Sequence, residues 1–152
     1  MSLLHVSINA DEPERVARFV AVLLGGRAMP FPPFPHSWIA FTAEDDGTAI
    51  EVYPATHVLT AGEHTISCEV RERNTAPTFA HAAIASPLHR SRIIEFAQSE
   101  GWLARICDRG PFECVEVWLE DRLLVEVLDP AMQMDYRRGM TAANWASMFG
   151  LE

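Results

Sequence analysis

Polar and apolar residues alternate from Leu3 to Ala10, with Leu4, Val6 and Ile8 on one face and His5, Ser7 and Asn9 on the other. A period of two predicts a strand with one buried face. The period then lengthens. Val16, Phe19, Val20, Leu23 and Leu24 recur at helical spacing, with Asp11 as N-cap, Pro13 and Glu14 in the first turn, and Gly25-Gly26 as the stop. The passage Pro30–Pro35 holds too many prolines for a central strand. Ser37–Ala43 and Thr48–Tyr53 return to period two and predict a hairpin across Glu44-Asp45-Asp46-Gly47. Residues 55–78 are polar and irregular and predict a linker, with a short strand at Thr65–Val70.

The order then repeats. Phe79–Ala85 reads as a strand, and Pro87 opens a helix carrying Ile93, Ile94, Phe96 and Ala97. Gly101 ends that helix, and the offset from Gly25 to Gly101 equals the offset from His5 to His81. Ala104–Cys107, Glu113–Leu119 and Leu123–Leu128 supply three more strands, the last two joined over Glu120-Asp121-Arg122. Strand, helix and three strands, written twice, is the signature of an internal duplication. The chain therefore reads as one α+β domain over 1–152. Its first βαβββ half spans 3–54, its linker 55–78, its second half 79–130, and a C-terminal helical tail 131–152. Together the halves are expected to form a curved, mostly antiparallel sheet. In the tail, Thr141 caps a helix over Ala142–Phe149 whose Trp145, Met148 and Phe149 are expected to pack on their own domain, a lid or subunit contact being the alternative.

Two glutamates interrupt the apolar strands. Ile50–Pro54 reads Ile-Glu-Val-Tyr-Pro, and Leu123–Pro130 reads Leu-Leu-Val-Glu-Val-Leu-Asp-Pro. A glutamate inside such a run is costly to bury unless something pairs with it. Each is preceded, at almost the same distance, by a strand histidine, His5 or His81. Strand parity turns His5, Glu51, His81 and Glu126 away from the helices, so on one curved sheet all four share the concave face. Two imidazoles and two carboxylates on separate strands are a rigid donor set for a divalent metal. Such an ion polarises a carbonyl while a glutamate removes a proton from the adjacent carbon. His36, His57, His64 and His89 match no repeated strand position and read as surface or loop histidines.

Composition narrows the partners. The chain has 152 residues, 49% of them hydrophobic and 22% charged, which suits a folded domain with a proper core. A net charge of −9 without a basic stripe argues against nucleic acid and anionic membranes. No apolar run spans a bilayer, and the N-terminus lacks a signal-peptide pattern, so a cytoplasmic location is expected. Cys68, Cys107 and Cys114 are odd in number and lack a C-x-x-C spacing, so they read as buried free thiols.

In the opening Leu-Leu-His-Val, the Ile-Glu-Val, the Ala-His-Ala and the Val-Glu-Val-Leu-Asp-Pro, residues 3–130 resemble the vicinal oxygen chelate superfamily. That superfamily contains glyoxalase I, bleomycin-resistance proteins and extradiol dioxygenases. The resemblance implies the glyoxalase-like fold, frequent assembly as a homodimer, and metal ligands at His5, Glu51, His81 and Glu126, in the order of bacterial glyoxalase I. By that analogy Glu126 and Glu51 share the base and ligand roles, and the metal is Ni, Co, Zn, Mn or Fe. The implied activity is a lyase or isomerase acting on a small carbonyl or thioester. Asn9 stands where glyoxalase I carries an arginine for the glutathione carboxylate, which counts against glutathione as co-substrate. With Trp38, Tyr53 and Trp118, whose strand parity is compatible with the concave face, Asn9 completes the substrate-binding candidates. Two other readings compete. One is a metal-free sequestering protein of bleomycin-resistance type. The other is an extradiol dioxygenase using only His5, His81 and Glu126.

Overall fold

Alternation and helical spacing each find their place in the structure, a computed structural model that describes residues 4–61, 66–73, 76 and 79–151. Backbone contacts divide the chain into two units, Met1–Pro77 and Thr78–Glu152. In the first, β1 (His5–Ala10) leads into α1 (Pro13–Leu23), followed by β2 (Arg27–Pro30), β3 (Trp38–Phe41) and β4 (Ala49–Pro54). The sheet order is β1-β4-β3-β2, with β1 parallel to β4 and the remaining pairs antiparallel. Helix α1 buries Val16, Phe19, Val20 and Leu23, while Ala40, Ile50 and Val52 are buried in the sheet. Full burial of such side chains contributes about 1.5–3 kcal/mol each, which is why the apolar stripe rather than helix propensity fixes α1.

The second unit repeats the plan with β7 (Ala82–Ala85), α2 (Arg90–Ser99), β8 (Leu103–Asp108), β9 (Glu113–Leu119) and β10 (Leu123–Leu128), ordered β7-β10-β9-β8. Strand β10 runs parallel to β7 and antiparallel to β9. Val115, Val117, Val125 and Val127 are buried, as are Ile93 and Ala97 of α2. Gly25 and Gly101 follow the C-caps of α1 and α2 with φ of 67° and 77°. Only a residue without Cβ takes that left-handed turn cheaply.

Several elements depart from expectation. Strand β2 was not legible, because its four residues end on a proline at the sheet edge. Within the expected linker, β5 (His57–Ala61) and β6 (Ile66–Val70) form an antiparallel hairpin. His57 is therefore a half-buried strand residue rather than a loop histidine, and His64 lies outside the described residues. Glu12, not Asp11, stands at the N-cap of α1, because Arg73 holds the Asp11 carboxylate. Helix α2 starts after Pro87, with the His89 ring accepting from the Ser91 N–H as its cap. Strand β7 begins one residue after His81. The tail contains an unexpected helix, α3 (Pro130–Gly139), before α4 (Ala142–Phe149). Asp129 caps α3 by accepting from the Ala131 and Met132 N–H groups, and Arg90 clamps the same carboxylate. Thr141 caps α4 as expected, but α4 buries none of its residues. Of the three thiols, only Cys114 is buried.

Candidate functional site

Both sheets turn one face to their helix and the other face away from it. On β1 and β4 the parallel register sets His5 beside Ala49, Ser7 beside Glu51 and Asn9 beside Tyr53. On β7 and β10 it sets Ala83 beside Glu126. His5 precedes Ser7 by two residues, and His81 precedes Ala83 by two. His5 thus stands about 7 Å along β1 from Ser7, the residue opposite Glu51, whereas His81 lies just before β7 begins. The duplication reaches the register of the two glutamates, not just the order of elements.

The two carboxylates are held differently. Glu51 is half-buried and its Oε2 accepts from Ser7 Oγ and from the Tyr53 hydroxyl, both at 2.8 Å. Burial, and then the neighbouring Glu51 carboxylate, push the Tyr53 phenol well above its ordinary range, so Tyr53 stays a proton donor. Glu126 is buried, with 7% of its surface exposed, and its Oε1 accepts from Arg109 Nε at 2.8 Å. Arg109 also donates through Nη2 to Glu116 at 2.6 Å, and Arg105 Nε donates to Glu116 at 2.8 Å. Glu116 lies directly opposite Glu126 across β9 and β10. Burial disfavours its charge, yet the Arg109 and Arg105 hydrogen bonds outweigh burial and hold its pKa down to about 2. Arg105, Arg109, Glu116 and Glu126 form an alternating chain with no net charge.

His5 and His81 are exposed, and His81 Nδ1 lies 3.2 Å from the Phe79 carbonyl oxygen. Asn9 donates from Nδ2 to the Pro54 and His57 carbonyls, so part of its amide ties β1 to the turn after β4. Tyr53 shares the Glu51 face, and Trp118, opposite Leu103 and Leu124, shares the Glu126 face. Trp38 does not. It pairs with Val52, on the helix side of the sheet, and the Arg18 guanidinium lies 5.1 Å from its ring centre. There it borders an open cleft of about 530 Å³ with Glu12, Arg15 and His36. Parity counted from the strand sequence placed Trp38 on the wrong face, because the β3–β4 pairing fixes that face.

Arg105, Arg109 and Glu116 were missed by sequence reasoning, although Arg105, Glu116 and Trp118 alternate in step with Glu126. As donors, exposed imidazoles and a carboxylate held only by hydroxyls suit a borderline divalent cation. Glu126 suits one as well, provided Arg109 gives up its Oε1. Among the described residues no three His, Cys, Asp or Glu are gathered closely enough to hold an ion, so the structure does not bring His5, Glu51, His81 and Glu126 together as a set.

No family model and no curated protein match this chain. Solved structures do. The fosfomycin resistance protein FosX of Listeria monocytogenes is 12% identical, with 90% of this chain and 97% of that one covered at a TM-score of 0.56. The trypanothione-dependent glyoxalase I of Leishmania major is 14% identical, with 100% and 99% covered at 0.54. The oxidase ChaP-H1 is 18% identical, with 85% and 95% covered at 0.51. One FosX structure from Listeria monocytogenes was solved with Mn(II) and sulfate. At these identities the likeness defines the fold. This chain carries the α+β, glyoxalase-like fold of these structures. No helix of the described residues is long and apolar enough to cross a membrane.

Proposed function

We propose that the chain is a metal-dependent lyase or isomerase of glyoxalase I type, acting on a small carbonyl or thioester substrate. His5, Glu51, His81 and Glu126 hold the ion. The observation that supports this best is the state of Glu51, a half-buried carboxylate whose partners among the described residues are hydroxyls rather than a cation. When bound, a divalent ion supplies Lewis-acid polarisation of the substrate oxygen. Glu51 takes the proton from the adjacent carbon and returns it to the neighbouring position. Ser7 and Tyr53 aim its Oε2, and the Tyr53 phenol keeps its own proton throughout. Trp118 offers an apolar wall to the substrate.

Metal content of untagged protein, beside a His5→Ala, Glu126→Ala double variant, tests the reading. About one equivalent of Ni, Co, Zn, Mn or Fe, lost in the double variant, is expected. No metal in the wild-type protein after reconstitution would sink it. Glu51→Gln then separates the chemistries. A large loss of proton exchange at the substrate carbon supports the glyoxalase type, and retained activity supports a three-ligand dioxygenase.

The Arg109–Glu126 pair favours a second reading, a metal-free protein that sequesters a small molecule. Its prediction is the opposite result in the metal measurement.

A further inference from the structure

Glu116 and Glu126 are buried directly opposite each other on adjacent strands. Two carboxylates so placed repel one another and strand their charge in a poor solvent. One residue relieves both. Arg109 lays its Nε on Glu126 and its Nη2 on Glu116. It stands just beyond β8, on a turn closed by its own N–H donating to the Phe112 carbonyl, with Gly110 in the left-handed region. Its side chain is about a third exposed, so it reaches the carboxylates from the solvent edge.

We propose that Arg109 is a built-in competitor for the metal at Glu126, a residue that sets how tightly the protein binds its ion. The inference rests on the reading of Glu126 as a ligand. Without metal, the guanidinium supplies the positive charge that buried Glu126 requires. A divalent cation at Glu126 supplies the same charge and displaces Nε. Arg109 need not leave, because Nη2 remains on Glu116, so the exchange costs one hydrogen bond rather than a whole ion-pair network. Among the described residues Glu51 has no such guardian, so a cation there displaces no guanidinium. The two carboxylates therefore join the ion unequally, and metal affinity is written largely at Glu126. Removing Arg109 should make the site bind more tightly, the reverse of what loss of a structural residue does.

The test titrates manganese(II) chloride into chelator-stripped wild-type protein, Arg109→Gln and Glu126→Gln, by calorimetry and by the spin-resonance signal of free ion. Arg109→Gln with Glu116→Gln is carried alongside, because it also removes the second buried carboxylate that Arg109 compensates. The expected result is a dissociation constant about tenfold lower in the Arg109 variants than in wild type, the usual scale of coupling between two binding events. Glu126→Gln should bind more weakly than wild type. If wild type binds manganese and the Arg109 variants bind equally or more weakly, Arg109 is no competitor, and the metal site itself stands. If no protein binds manganese, the ligand reading of Glu126 falls and the inference with it.

Discussion

Glu51 and Glu126 stand at the same rung of two copies of one sheet, and their neighbours differ at every position that touches them. Glu51 lies between Ser7 on one strand and Ile39 on the other, with Tyr53 two residues on. Glu126 lies between Ala83 and Glu116. The first carboxylate thus accepts from two neutral hydroxyls. The second, beside another acid and a methyl group, depends on a guanidinium from outside the repeated strands. A duplicated backbone fixes where a side chain stands, but the rung beside it decides whether its charge is available. Among the described residues, only one of the two glutamates therefore carries a guanidinium on its carboxylate.

The sharpest way to break this comparison is to remove each carboxylate's support in turn. Arg109→Gln leaves Glu116 and Glu126 buried with only Arg105 for compensation, and should cost roughly 2–4 kcal/mol of metal-free stability. Urea unfolding measures it, and a loss under 1 kcal/mol would mean that the pair is not the buried ion network described.

Acid should expose the same asymmetry. The Glu116 pKa is held at about 2, below its ordinary value of 4.5, so its stabilisation is complete above pH 4.5 and drains away as pH falls towards 2. The amount is roughly 2–3 kcal/mol, given how little of Glu116 meets solvent. Asp129 works in the same direction, its burial outweighed by Arg90 and the α3 N-terminus. In the first half Asp46 and Glu69 are also held below their ordinary values, and both are surface groups. Hydrogen exchange between pH 5 and pH 2 should therefore show the second half losing protection first, and Glu116→Gln should flatten that dependence.

How much of this was legible in the sequence follows from the range of the forces involved. The repeat was legible because strand parity and helix period are local, and β9, β10 and α4 fall within their expected limits. The four repeated polar residues were legible for the same reason. Strand β2 was not, since four residues ending in proline carry no period. Helix α3 was missed although Asp129 caps it and Pro130 opens it, because the pair was read only as the end of a strand. The Arg109 bridge was beyond local pattern altogether. It depends on register across β8, β9 and β10, which no single stretch encodes, and the face of Trp38 was misjudged for the same reason.

Backbone duplication gives a smaller, symmetrical effect. Gly25→Ala and Gly101→Ala each force a side chain into the left-handed region and should cost about 1–2 kcal/mol apiece. An added Cβ at Gly101 meets nothing within 4 Å, so the cost there is conformational alone. Equal losses in thermal unfolding are expected. A difference beyond 1 kcal/mol would mean that the two helix ends are not equivalent copies.

The smallest effect sharpens the comparison most. Ser7→Ala removes one hydroxyl from Glu51 and should cost about 0.5–1.5 kcal/mol, because a partly exposed carboxylate recovers the lost bond from water. Ala83→Ser places the same hydroxyl beside Glu126, at the matching rung. It should change stability by less than about 0.5 kcal/mol, since Arg109 already compensates that carboxylate. If Ala83→Ser instead stabilises the protein by more than Ser7→Ala destabilises it, Glu126 is less well served by Arg109 than its hydrogen bond implies. The two halves would then differ in degree rather than in kind.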